Sequence, residues 1–147
     1  MAKLRLLLDS TYLLPIVGIE VEDVKSTLAV LRNLWREGKA ELYYTPFNMV
    51  EIIGKLSKLK YDKDRVSSGL LSITERFNLV YPTVEGYLKA LTLRALGHKD
   101  LIDLLLYTTS VTRGLIFLTR DEELIDFLRG AGESIRNIIR ERELLSI

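Results

Sequence analysis

A carboxylate in an apolar segment is the strongest chemical signal in this sequence. Asp103 lies within Lys99–Arg113, a segment that is apolar almost all round, which is typical of a buried helix. A buried ionised carboxylate is costly unless it is paired or bound to a metal. No cation follows Asp103 one helical turn later, so it has no partner on the predicted helix. Asp103 is therefore our first candidate for a chemical role.

Three further acidic residues come where strands are predicted to end. Asp9 directly follows the apolar run Leu4–Leu8, and Asp121 lies just past the apolar run Leu115–Thr119. Glu51 falls in the second turn of a helix entered straight from the second strand. Ligands of open parallel sheets bind outside the carboxyl ends of the strands. We therefore expect these carboxylates to meet at one edge of a sheet, together with the buried one.

The residue types select the chemistry of such a cluster. Converging carboxylates raise one another's proton affinity unless a divalent cation lies between them. The chain has no cysteine and one histidine, His98, so thiolate and multi-histidine sites are excluded. Hard oxygen ligands favour Mg²⁺ or Mn²⁺, which serve phosphate chemistry by activating water and stabilising charge. The cluster thus predicts metal-dependent phosphodiester hydrolysis, whereas His98, in a turn beside Gly97, is expected to be solvent-exposed.

Each of these acids also has a purely structural explanation. Asp9 would serve as a helix cap, Glu51 would pair with Lys55 on a helix surface, and Asp121 would begin an acidic first turn. Asp100 is better explained as an N-cap or exposed first-turn acid than as a ligand. The chemical interpretation depends on the acids occurring together.

Short apolar strands alternate with amphipathic helices along the chain, which predicts an α/β fold with a mainly parallel sheet. The predicted strands are Leu4–Leu8, Glu41–Tyr44, Leu79–Tyr81 and Leu115–Thr119. Helices are predicted over Val21–Glu37, after Thr45-Pro46, and over Tyr61–Arg76, Gly86–Leu96, Lys99–Arg113 and Glu122–Leu128. The segment Glu133–Ile147 fits either a helix or an edge strand.

Composition bounds the class of protein. The 147 residues are 48% hydrophobic, and 21 basic residues nearly balance 20 acidic ones, which excludes a disordered chain and argues for one domain over residues 1–147. No stretch has the length of a signal peptide or membrane span, so we expect a soluble cytoplasmic protein. Glutamine is absent while Lys, Arg and Glu are abundant, as in proteins from thermophiles.

Four short motifs, in order along nearly the whole chain, resemble those of the PIN-domain ribonucleases, a family that includes the toxins of VapBC-type toxin–antitoxin pairs. The matching segments are Leu6-Leu7-Leu8-Asp9-Ser10-Thr11, Asn48-Met49-Val50-Glu51, Asp103 to Ser110, and Leu118-Thr119-Arg120-Asp121. The chain has Leu104 and Ser110 where the family often has alanine.

The resemblance implies a single PIN-like domain with a sheet of four to five strands between helices. It also implies cleavage of single-stranded RNA by a water activated at a Mg²⁺ or Mn²⁺ site, and leaves open an antitoxin partner. The implied catalytic and metal-binding acids are Asp9, Glu51, Asp103 and Asp121, with Ser10 and Thr119 as supporting residues. Asp100, close to Asp103 in the sequence, is a further candidate for a supporting residue.

Two surface features suggest binding partners. Lys55, Lys58 and Lys60 belong to a basic run interleaved with apolar residues, which would contact an RNA backbone or simply form a solvated helix face. Exposed apolar residues from the same helices would form a homodimer seam or a groove for a partner peptide.

Other functions compete with the nuclease hypothesis. A haloacid-dehalogenase-like phosphatase needs a second Asp where Thr11 stands, and a receiver domain needs adjacent acids where Asp9 is followed by Ser10. Both are disfavoured. The remaining alternative is a non-catalytic PIN-like module that binds RNA or protein, against which the filling of all four acidic positions argues.

Overall fold

A parallel five-stranded sheet forms the centre of the molecule, with strand order β3-β2-β1-β4-β5. The computed structural model describes residues 2–147. The predicted α/β class and mainly parallel sheet are confirmed. The strands are β1 (Leu4–Leu8), β2 (Ala40–Tyr44), β3 (Asn78–Leu79), β4 (Ile116–Leu118) and β5 (Ile138–Ile139).

Helices connect the strands and cover both faces of the sheet. Two short 3₁₀ helices, Ser10–Tyr12 and Leu14–Val17, follow β1, where Pro15 and Gly18 exclude a longer helix. The α-helices of the described residues are α1 (Lys25–Arg36), α2 (Pro46–Leu56), α3 (Lys63–Arg76), α4 (Val84–Ala95), α5 (Leu101–Arg113), α6 (Glu122–Gly130) and α7 (Glu141–Leu145).

Two apolar cores lie on opposite faces of the sheet because side chains alternate along each strand. On β1, Leu6 and Leu8 enter the core formed with α1, α3 and α7, whereas Leu7 enters the core formed with α4, α5 and α6. All three leucines are at most 1% exposed. Burial on both faces explains why β1 has an apolar run in the sequence rather than an alternating pattern.

Element boundaries differ from the predictions where local geometry overrides periodicity. The helix predicted from Val21 begins only at Lys25, after Asp23 adopts a positive φ of 54°. The strand predicted at Leu79–Tyr81 pairs only over Asn78–Leu79. The segment Glu133–Ile147, which fits either a helix or an edge strand by sequence, contains both, since β5 is followed by the short helix α7.

No helix among residues 2–147 is long and apolar enough to cross a membrane.

Candidate active site

The register of the two central strands brings the first pair of predicted site residues together. Leu8 of β1 pairs with Leu118 of β4, so the residues that follow them emerge at the same sheet edge. The Thr119 hydroxyl donates a hydrogen bond of 2.7 Å to Asp9 Oδ2, and the Asp9 backbone N–H donates to Leu118 O at 3.1 Å. Asp9 is thereby oriented by the end of the neighbouring strand.

Asp9 lies in an electrostatically strained position. Burial raises the pKa of its carboxyl group to about 6, the hydrogen bond from Thr119 opposes that rise, and the charges of Glu51 and Asp121 add to it. The structure therefore brings these three acids within electrostatic reach of one another at the carboxyl edge of the sheet.

Asp103 faces the same acids from the first turn of α5. Its side chain is 12% exposed. Burial raises the pKa of the Asp103 carboxyl group strongly, and a hydrogen bond with Asp121 and the charges of Asp100 and Asp9 raise it further. Asp103 is therefore within electrostatic reach of the other acids at this sheet edge.

His98 contacts this cluster, which corrects the expectation of an exposed turn residue. It is 6% exposed, and its Nε2 lies 3.4 Å from Asp103 Oδ2. The ring packs on Phe127 of α6 with 4.8 Å between ring centroids, because the loop before α5 folds back over α6. No local sequence pattern predicts this contact. The only signal in the sequence is that the chain's one histidine lies close to a buried acid along the chain.

The start of α2 positions Glu51. Thr45 caps the helix by accepting a hydrogen bond from the Asn48 N–H at 3.1 Å, while Asn48 Oδ1 accepts from the Thr45 N–H at 2.7 Å. The Asn48 amide also donates to Leu8 O at 3.2 Å and to Ser10 Oγ at 2.9 Å. These bonds hold the first turn of α2 against the end of β1, so that Glu51 points towards the edge where Asp9 lies.

The structural explanations for the acids hold in part. Asp100 is exposed and caps α5 by accepting from the Asp103 N–H at 3.1 Å. Asp121 caps α6 by accepting from the Leu124 N–H at 3.1 Å through Oδ1. Within residues 2–147, Glu51 makes no ion pair with Lys55, so a surface salt bridge does not account for it.

Sequence reasoning also missed a polar network beside the site. Arg120, between the two site residues Thr119 and Asp121, donates to the Glu141 carboxylate of α7 through Nε and Nη2 at 2.5 and 3.0 Å. Glu141 also accepts hydrogen bonds from the hydroxyls of Tyr12 (3.0 Å) and Thr27 (2.7 Å). The network ties the turn after β4 to three other segments.

The donor set fits a hard divalent cation. In the part of the chain that the structure describes, no three Asp, Glu or His side chains stand in a group that could hold a metal ion. The chemistry of the residues nevertheless matches Mg²⁺ or Mn²⁺, because the groups at this edge are carboxylates and the Thr119 hydroxyl, and the one imidazole nearby lies against Asp103. Burial and the neighbouring negative charges raise the pKa values of Asp9 and Asp103, and a bound cation would lower them.

The predicted RNA-contacting lysines follow Glu51 along α2 and the loop after it. Lys55 falls in the last turn of α2, one turn beyond Glu51, and Lys58 and Lys60 follow the helix. All three are exposed, and none forms an ion pair within residues 2–147.

Comparisons with known proteins identify the fold. A family model described as PIN domain matches residues 6–129. A chain of the Rickettsia felis VapBC2 structure, bound to a promoter DNA fragment, superposes with a TM-score of 0.65 at 17% identity, covering 93% of this chain and 97% of that one. A chain of VapBC-1 from nontypeable Haemophilus influenzae has a TM-score of 0.66 at 14% identity, covering 95% and 99%.

A third similar structure, FitAcB from Neisseria gonorrhoeae, has a TM-score of 0.60 at 12% identity and covers 93% of this chain and 98% of its own. No curated protein gives a sequence match. At these identities the solved structures show the fold, and the site must be argued from its own residues.

Proposed function

Because this chain belongs to the PIN-domain family, whose members are generally nucleases, we propose that it is a Mg²⁺- or Mn²⁺-dependent endoribonuclease that cleaves single-stranded RNA. The observation that supports this most is the grouping of acids at the sheet edge, where burial and then the charges of Glu51 and Asp121 raise the pKa of Asp9, and burial and then Asp121, Asp100 and Asp9 raise that of Asp103. Mutual repulsion of this kind is relieved by a divalent cation.

Each residue has a defined role in this proposal. The carboxylates of Asp9, Glu51, Asp103 and Asp121 hold the cation. Thr119 orients Asp9 through its hydroxyl. The cation, when bound, supplies activation of a water molecule and stabilisation of charge on the phosphate.

Supporting residues act on the backbone of the site. Ser10 is buried and accepts from the Asn48 amide, which fixes the turn after Asp9 against α2. Asp100 caps α5 and so fixes the first turn that carries Asp103. The exposed Lys55, Lys58 and Lys60 would bind the phosphates of the RNA strand.

We also propose that the chain acts as the toxin of a VapBC-type pair and binds an antitoxin protein. The similarity to chains of VapBC structures from Rickettsia felis and Haemophilus influenzae supports this partner.

A homodimer is supported by the outer face of α4. Val84, Leu88 and Leu91 are 75, 58 and 67% exposed, and with Ala95 they follow the alternating spacing of four and three residues that forms a helix–helix seam. The opposite face of α4, with Ala90 and Leu93, is already buried against the protein. A second copy would cover this apolar stripe.

An RNA cleavage assay tests the nuclease proposal. Wild-type protein, Asp9→Asn and Asp103→Asn are incubated with a panel of single-stranded RNAs and Mg²⁺ or Mn²⁺, with EDTA as the metal-free control. We expect both substitutions to reduce cleavage by at least about 100-fold, since each removes a charge that holds the cation. Asp126→Asn, the same change at an exposed residue of α6, should leave cleavage unchanged.

Two outcomes contradict the proposal. Cleavage that survives EDTA and both site substitutions would come from other residues or a contaminant. A folded protein that neither cuts RNA nor binds Mn²⁺ in calorimetry would be a non-catalytic binding module.

A further inference from the structure

The imidazole of His98 lies against the Asp103 carboxyl group. Its Nε2 is 3.4 Å from Asp103 Oδ2, a long hydrogen bond but within range. The charged groups that, with burial, raise the pKa of Asp103 are all negative: Asp100, Asp121 and Asp9. An N–H donor at this position would favour the ionised form of the carboxyl group.

His98 is itself held in place from three sides. The ring packs on Phe127, its backbone carbonyl accepts a hydrogen bond of 3.0 Å from Arg94 Nη1, and the preceding Gly97 adopts a φ of 118° that favours glycine. A side chain fixed in this way has few alternative positions, so its Nε2 stays beside Asp103.

Two contacts hold Asp103 in place. Oδ2 faces His98. The Asp103 backbone is fixed as well, because its N–H donates to the Asp100 cap. With both backbone and carboxylate oriented, the side chain keeps its position despite repulsion from the neighbouring acids.

We propose that His98 is a positioning residue: its Nε2–H donates to Asp103 Oδ2 and orients that carboxylate towards the divalent cation. The inference rests on the proposed metal-dependent function and adds a residue to it. A donor that hydrogen-bonds to a metal ligand without touching the metal fixes the orientation of that ligand, and its loss weakens metal binding by about 10–100-fold.

Calorimetric titration of the full chain with Mn²⁺ alone tests this inference. His98→Phe and His98→Leu remove the donor and keep an apolar side chain against Phe127, whereas His98→Gln restores an N–H donor of similar reach. We expect the Phe and Leu variants to bind Mn²⁺ about 10–100-fold more weakly and the Gln variant to bind close to wild type. Melting temperatures in EDTA show that each variant is folded.

The outcomes separate this inference from the function on which it rests. Wild-type Mn²⁺ affinity in folded His98→Phe and His98→Leu would overturn the positioning role and leave the metal site standing. Equal weakening in His98→Gln, or loss of the metal-free fold in both apolar variants, would assign His98 to packing and overturn it as well. Wild-type protein that is folded but binds no Mn²⁺ would overturn the metal-dependent function, and the inference with it.

Discussion

At the scale of single residues, three of the four clustered carboxylates are each held through one oxygen by a different donor. Thr119 holds Asp9, the N–H of Leu124 holds Asp121, and His98 lies against Asp103. Such an arrangement is oriented before any cation binds, which lowers the cost of assembling the site.

The raised pKa of Asp103 predicts how metal-free stability depends on pH. Because the folded-state pKa lies above the ordinary value of 3.8, folding binds a proton that the unfolded chain releases, and stability falls as pH rises from about 4 through neutrality. Asp103→Asn removes this loss, so in EDTA at pH 8 we expect it to melt a few degrees above wild type.

Thermal melts from pH 4 to 9 in EDTA measure the effect, with Asp126→Asn as the control at an exposed site. A wild-type melting temperature that rises towards pH 8 in parallel with that of Asp103→Asn would contradict the prediction. Added Mn²⁺ should stabilise wild type and have little effect on Asp103→Asn, since a bound ion stabilises only the state that holds it.

At the scale of elements, the residue at a contact point determines how closely two helices pack. Gly69 of α3 lies against the 3₁₀ helix Leu14–Val17, and a Cβ on it would come within 2.3 Å of Ile16 O. Gly54 of α2 has open space around its Cβ position. Gly69 therefore allows a close approach between two helices, whereas Gly54 has no such function. The sequence by itself does not distinguish these two glycines.

Alanine substitution at these two glycines should have opposite effects. Gly69→Ala forces α3 away from the 3₁₀ helix, and we expect it to lower the free energy of unfolding by about 1–3 kcal/mol. Gly54→Ala should raise it by about 0.5–1 kcal/mol through better helix propensity. Urea unfolding measures both, and destabilisation of equal size in the two variants would show that the close approach at Gly69 is not what matters.

The docking of α7 gives a second prediction at this scale. Burial raises the pKa of Glu141, but the hydrogen bonds from Arg120, Thr27 and Tyr12 outweigh burial and leave that pKa below its ordinary value. We expect Glu141→Gln to cost about 1–3 kcal/mol at neutral pH, because Arg120 loses its charged acceptor in a partly buried setting.

The sign of the pH dependence checks the cause. A lowered folded-state pKa contributes stability above the ordinary value of 4.5, and that contribution is lost as pH falls below it. The difference in unfolding free energy between wild type and Glu141→Gln should therefore shrink in acid. The same change at the exposed Glu75 of α3 should have almost no effect at either pH.

At the scale of the whole molecule, apolar cores cover both faces of the sheet, and part of the apolar surface that remains exposed lies on the outer face of α4. The formal net charge is only +1, so long-range repulsion does not keep copies apart. The exposed stripe of Val84, Leu88 and Leu91 is the kind of surface that association buries.

Light scattering after size exclusion tests the dimer. We expect wild type to have twice the 16.8 kDa chain mass, and Leu91→Glu to be a monomer, since it would place two buried carboxylates in the seam. Leu71→Glu, the same change at a leucine that is 56% exposed on α3, should remain a dimer. A wild type that stays monomeric at high protein concentration would contradict the α4 interface.

Much of the architecture follows from the sequence alone. The strands β1, β2 and β4, the order of the helices and the α/β class come from apolar runs and helical spacing, which are local properties of the chain. The placement of Asp9, Glu51 and Asp121 at one sheet edge also follows, because parallel strands end on the same side. The burial of Asp103 follows from the apolar character of α5.

Only the tertiary structure decided which distant groups meet. The burial of His98 depends on Phe127 of α6 packing against the loop before α5, and the pairing of Arg120 with Glu141 depends on how α7 docks after β5. The final segment had no single local preference, so pairing with β4 determined its strand. Contacts of this kind arise from packing between elements, which periodicity within one element does not encode.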